Sequence, residues 1–417
     1  MKKIQNFALI LVLLMTFSNA RAQFTVFTTS NSDLPSDFVC GGVAVDTSNN
    51  VWLGTDAGVA KFDGATWTVF TTADGLPSDI ITCIVVDKST NTIWIGTDGD
   101  GVGKYNGSSW TTYKVADGLC DNGIHYIACE TDGTTWFGSW GAGISKLHNS
   151  TWTTYTDVQG FPSFQGAMAS VYYIAVDGAN NKWFGTDLGL VKYNNTLFDT
   201  ITPVTMPNML NRYIMAVAVD SDDNKWLGVQ YKGIARLNSS DAWVANYDTT
   251  KGICNNGITD IKISSGGKLW LGEYTKYGAL IKGGITKFDA VSGTGVSYSS
   301  DGLFEDQVFA VDLGKSGNVV WAATGEGLLK YVDQTGIGEN STEMALDIYP
   351  NPANQYLNIT GELNSAVTEI SDMTGQVCFS GSTAIPAKID IRNFSNGIYI
   401  LKMVSNDKVY VKKFIKE

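Results

Sequence analysis

His125 and His148 are the only histidines among 417 residues. A His-rich metal site is therefore excluded, and a Ser-His-Asp arrangement has few places to form. His148 stands beside Asn149 in a hairpin signal, where solvent is its expected neighbour. His125 lies in an apolar strand pattern and is the one candidate general base, with Asp306 or Asp312 as the acid beside it. No nucleophile elbow, phosphate loop or Cys-His signature accompanies it. Asp98-Gly-Asp100-Gly101 and Asp220-Ser-Asp222-Asp223-Asn224 look like calcium loops, but neither has the ligand at position 12. Both suit hairpin turns, where Asp, Asn and Gly are expected anyway. The chain is read as using neither metal nor cofactor.

What the chain offers in place of reactive groups is aromatic surface. Trp140, Tyr172, Tyr231, Tyr274 and Phe309, with Arg212 nearby, stand at points where a repeated pattern is broken. Flat rings beside a few polar groups can stack on sugars or grip a peptide.

The repeat that makes these departures visible is anchored by Trp52, Trp94, Trp136, Trp183, Trp226, Trp270 and Trp321, at intervals of 42, 42, 47, 43, 44 and 51 residues. Each unit holds four short strand signals bounded by Gly, Asn and Asp, which is the signature of a propeller blade. The seventh unit stops at Leu329-Lys330-Tyr331 without a fourth strand. Thr25-Val26-Phe27-Thr28-Thr29 repeats Thr68-Val69-Phe70-Thr71-Thr72 and supplies the missing strand. The expectation is an all-β chain with one seven-bladed β-propeller over 23–331, closed by its N-terminal strand so that no sheet edge is left open.

Counting back from each tryptophan, or from the match of Asp306 to Asp79 in the last blade, sets a register for the first strand of every blade: Gly41, Thr82, His125, Tyr172, Met215, Thr259 and Phe309. These side chains are expected to approach the axis near one mouth. The turns between second and third strands open on that same face. They begin with Asp56, Asp98 and Asp187 in three blades, but hold Trp140 in the third, Gln230-Tyr231-Lys232 in the fifth and an enlarged Glu273-Tyr274-Thr275-Lys276-Tyr277 in the sixth.

The units resemble the two-component-regulator propeller family, best at Trp94-Ile95-Gly96-Thr97 with Lys104-Tyr105 and at Trp183-Phe184-Gly185-Thr186 with Lys192-Tyr193. After a polar linker over 332–345 the repeat is gone. Residues 346–417 alternate as a small antiparallel β-sandwich does. Tyr349-Pro350-Asn351-Pro352-Ala353, Asp372-Met373-Thr374-Gly375-Gln376-Val377, Asn396-Gly397-Ile398-Tyr399 and Lys412-Lys413-Phe414-Ile415-Lys416 follow in order. Together they resemble the type A sorting domain of the type IX secretion system. The resemblance implies that the secretion machinery reads residues 346–417 as its partner.

Residues 1–22 have the charged, apolar and small-residue order of a signal peptide, with cleavage after Ala22. No later stretch approaches the roughly 20 apolar residues that a spanning helix needs. The formal charge is −12 and becomes −15 when Lys2, Lys3 and Arg21 leave with the signal. Nucleic acid and anionic lipid are thereby excluded as partners, since both require a basic footprint. Cys40, Cys83 and Cys129 read as small buried hydrophobes, and Cys120 and Cys254 fall too far apart around a ring to pair.

The sequence thus describes a protein secreted or held at the outer-membrane surface, a binding module for a glycan or peptide. One alternative is a lyase or hydrolase using His125, which resembles the antibiotic-lyase propellers. A purely structural surface protein is the other.

Overall fold

In a computed structural model, the described residues are 23–274, 283–298, 307–333, 347–361, 365–372, 376–405 and 408–417. The expected signal peptide, most of the linker, Asp306 and 275–277 lie outside them. The chain divides into two compact units, Met1–Asp333 and Gln334–Glu417.

Among its described residues the first unit holds seven four-stranded antiparallel sheets and one two-stranded sheet, Ser163–Phe164 with Ala167–Met168. In the first blade the strands are Gly42–Val45, Val51–Thr55, Gly58–Phe62 and Trp67–Phe70, paired in chain order. In the seventh, Val308–Leu313, Val319–Thr324 and Gly327–Val332 are completed by Gln23–Phe27, with Gln23 opposite Val332 and Phe27 opposite Leu328. The innermost strand of each blade packs against that of the next, and the last packs against the first.

Repeated side chains explain why each unit folds alike. The seven repeat tryptophans are 0–4 % exposed, and each lies beneath a Lys or Arg from the opposed position of the third strand, as Lys104 lies 5.0 Å from the Trp94 ring. The indole N–H of Trp52, Trp183 and Trp226 donates to Asp46, Asp177 and Asp220, six residues earlier, at 3.1, 2.8 and 2.9 Å. Each of these aspartates also accepts backbone N–H groups of its own turn, so one carboxylate satisfies the turn and the buried indole together. The calcium-like run at Asp220 is such a turn.

The second unit has one sheet of Asp347–Tyr349, Tyr356–Thr360 and Ala387–Asp390 and another of Val377–Ala384, Ser365–Asp372, Gly397–Ser405 and Lys408–Lys416. Leu357, Ile359, Ile370, Leu401, Met403 and Phe414 form its core. The alternation of buried and exposed residues along Tyr356–Thr360 follows the period of two that the sequence shows.

Candidate functional site

The innermost strand of every blade from the second to the seventh contains a β-bulge at the same place. Pairing jumps from Ile81 to Cys83, Ile124 to Tyr126, Val171 to Tyr173, Ile214 to Ala216, Ile258 to Asp260 and Val308 to Ala310. The skipped residues are Thr82, His125, Tyr172, Met215, Thr259 and Phe309. A bulge sets two residues against one and re-aims a side chain. These six, with Gly41 in the first blade, line an axial cavity of about 480 Å³.

The aromatic side chains fall into separate groups, of which His125, Tyr172 and Phe309 line this cavity while Trp140, Tyr231 and Tyr274 do not. His125 lies 4.2 Å from Trp140 between ring centres and 5.7 Å from Tyr172, with Trp140 and Tyr172 5.9 Å apart at 85°. Tyr231 and Tyr274 form a second pair at 5.6 Å, and Phe309 meets Phe38 edge to face at 5.4 Å. Trp140 is 53 % exposed, unlike any repeat tryptophan. Arg212 is exposed and lies over the Tyr213 ring at 5.2 Å. Burial, reinforced by Asp187 and Tyr213, raises the Tyr172 hydroxyl to about 12. Burial and the neighbouring Tyr231 raise Tyr274 as well.

His125 Nδ1 bonds Val171 O at 3.1 Å, and burial holds the imidazole down at about 4, although the carbonyl works the other way. Asp312, named above as a possible acid, instead accepts the N–H groups of Val45 at 2.7 Å and Leu313 at 2.9 Å. His148 is not left to solvent as expected: it is half-buried and bonded to Thr134 and Asn149, both at 2.8 Å.

The floor of the cavity was not legible in the sequence. Tyr173 reaches from the fourth blade to the sixth and donates to Asp260 Oδ1 at 2.8 Å. Lys262 Nζ donates to the Tyr173 oxygen at 2.7 Å and to Asp260 at 3.0 Å, while Val311 N–H of the seventh blade donates to the other carboxylate oxygen at 3.0 Å. The Tyr126 ring lies 4.1 Å from Tyr173. Burial alone would discharge Lys262, but Asp260, with Tyr126 and Asp312, holds it above the ordinary lysine range. Lys88, Tyr126, Tyr173 and Lys262 also line a second cavity of about 470 Å³ on the opposite side of this belt. The signal was present: Thr259-Asp-Ile-Lys262 places a carboxylate and an ammonium in what must be a core strand. Strict alternation hid it, because the bulge turns adjacent residues, such as Thr259 and Asp260, toward the same channel.

Comparison with known proteins bears on both units. Residues 347–417 match the family model of the secretion system C-terminal sorting domain, and 75–99 match that of the two component regulator propeller. The curated proteins give no match. Among solved structures the chain is similar to PorZ, a surface component of the type-IX secretion system of Porphyromonas gingivalis. The identity is 16 % and the TM-score 0.58, with 92 % of this chain and 60 % of PorZ covered, so the chain spans less than two thirds of PorZ. It is also similar to YCF48 bound to D1 peptide, at 14 % identity and TM-score 0.54, covering 76 % of this chain and 96 % of that one. The extracellular domain of a hybrid two component system from B. thetaiotaomicron aligns at 14 % identity over 90 % of this chain and 67 % of its own, with a TM-score of 0.41. At such identities the first two describe the fold alone. The sorting-domain match indicates type IX export to the cell surface or beyond it. No helix among the described residues is long and apolar enough to cross a membrane.

Proposed function

We propose that this chain is an exported binding module whose propeller recognises a glycan or peptide at the aromatic mouth formed by Trp140, Tyr172, Tyr231 and Tyr274, with Phe309 and Arg212 at its margin. The observation that carries the reading is Trp140, a 53 % exposed indole packed against His125, which itself lines the cavity of about 480 Å³. Exposing so large an apolar ring forgoes its burial energy, about 1.5–3 kcal/mol for side chains of this kind, unless a partner covers it. Tyr231 and Tyr274, 5.6 Å apart between ring centres, offer a second pair of rings to the same reading.

Binding without turnover fits the local chemistry better than catalysis. The imidazole of His125 is tied to a backbone carbonyl and depressed by burial, and Asp312 is occupied by two backbone N–H groups. A general base works best with its pKa near working pH and with a carboxylate free to orient it.

The test is a thermal-shift and array screen of the secreted chain against glycans and peptides, wild type beside Trp140→Ala. Ligands bound by the wild type and lost in the variant support the module. Silence in both, with Trp140→Ala melting several degrees lower, would favour a structural role. Turnover of an array compound, abolished in His125→Ala, would establish the enzyme reading in its place.

A further inference from the structure

Three of the six bulge residues share a bonding pattern. Thr82 Oγ1 donates to Ile124 O, Thr259 Oγ1 donates to Val308 O at 2.8 Å, and His125 Nδ1 bonds Val171 O at 3.1 Å. In every case the acceptor is the carbonyl of the residue just before the bulge of the next blade. His125 therefore performs in the third blade the bracing that threonine performs in the second and sixth.

A threonine would have sufficed for that brace, so the imidazole brings something more. A carbonyl oxygen only accepts, which fixes the proton on Nδ1. In the neutral ring Nε2 is then a bare lone pair. Among the described residues nothing bonds to Nε2, while the ring lines the mouth cavity and lies 4.2 Å from the exposed Trp140. The site thus pairs an apolar platform with one uncharged acceptor. That combination suits a ligand whose flat face carries a neutral donor at its edge, as the hydroxyls of a sugar ring do. It repels an anion, whose oxygens have no proton to offer.

We propose that His125 is a ligand-reading residue: Nε2 accepts a hydroxyl hydrogen bond from a neutral saccharide stacked on Trp140, while Nδ1 keeps the ring in register by bracing the third blade to the fourth. The proposal rests on the mouth being a binding site and adds the atom that selects the ligand.

His125→Thr in the full chain separates the two duties, because threonine restores the brace in the manner of Thr82 and Thr259 but offers no acceptor at the position of Nε2. On an array of neutral oligosaccharides, the variant is expected to melt like the wild type and to bind the wild-type hits at least tenfold more weakly. Binding within twofold of wild type would overturn the proposal. Nitrogen NMR of histidine-labelled wild type, assigned with His148→Gln, supplies an arm that does not depend on the variant folding. A bare Nε2 whose resonance moves when a hit saccharide is added supports the assignment, and a proton resident on Nε2 refutes it. If no neutral saccharide binds the wild type while Nε2 is bare, the mouth is not a saccharide site and the ligand-reading role falls, leaving the brace alone.

Discussion

At the scale of single residues, the informative positions are those that break the repeat. Thr55, Thr97, Thr186 and Thr324 each end a second strand by donating to a glycine carbonyl across the turn, at 2.7–2.8 Å, and Ser139 does the same. The sixth blade has Glu273 there, fully buried, accepting from Asn255 N–H at 2.7 Å and from the Cys254 thiol. Burial pushes its carboxyl from 4.5 up to about 7. The folded chain therefore holds a proton that the unfolded chain releases, and this stability is lost as pH rises from about 4.5 to about 7, by roughly 3 kcal/mol in all. His125 tilts the other way: its folded pKa lies below the unfolded value, so its share is lost as pH falls from 6.5 towards 4. The slopes oppose each other in the wild type. Melting curves of Glu273→Gln from pH 4.5 to 7.5 should show stability rising with pH relative to wild type, and a constant offset would contradict the buried acid. The sequence marked such positions as departures from the repeat, yet nothing in it told a buried Glu273 from an exposed Trp140, because burial depends on what the neighbouring blade places opposite.

At the scale of elements, the blade was legible and the joints between blades were not. Strand count, closing strand and first-strand register follow from spacing, and all seven registered residues line the cavity. The bulge leaves no mark in a strand of mixed polar and apolar residues, so the belt of Tyr126, Tyr173, Asp260 and Lys262 escaped notice. Inter-blade ion pairs are equally silent in sequence. Lys225 of the fifth blade is 1 % exposed and meets Asp241 at 2.9 Å, Asp223 at 3.1 Å and Asp177 of the fourth blade at 3.8 Å. Lys182 pairs with Glu130 of the third blade at 3.1 Å in the same fashion. Removing Lys225 leaves the buried Asp177 without its cation, beside the part-exposed Asp223 and Asp241, so Lys225→Ala should cost about 3 kcal/mol by denaturant titration, whereas a change within about 0.5 kcal/mol would mean that water already relieves the cluster. Deleting Gln23–Phe27 removes the outer strand of the seventh blade and uncovers an edge, and the melting temperature should fall by many degrees. An unchanged curve would mean that the ring does not rely on this closure.

At the scale of the whole molecule, the chain enters and leaves the propeller on one face. Gln23 pairs with Val332, and Asp333 N–H donates to Asn318 O in the turn between the first two strands of the seventh blade, at 2.7 Å. The proposed mouth belongs to the opposite face of the propeller, where the second-to-third-strand turns open. Export and recognition are then separable: truncation after Asp333 should leave the propeller in the periplasm with its ligand affinity intact, and normal secretion of the truncated chain would contradict the sorting role of 347–417. The central claim is that the exposed rings of this mouth hold the ligand. It is tested most directly by calorimetric titration of an array hit into the wild type, Trp140→Ala, Tyr231→Ala and, as a control on the far face, Thr47→Ala. Binding weakened about tenfold or more by Trp140→Ala and measurably by Tyr231→Ala, with Thr47→Ala and all melting temperatures unchanged, is the expected result. Affinity unaltered by both mouth variants, or lost only with Thr47→Ala, would place the ligand elsewhere on the propeller and contradict the account.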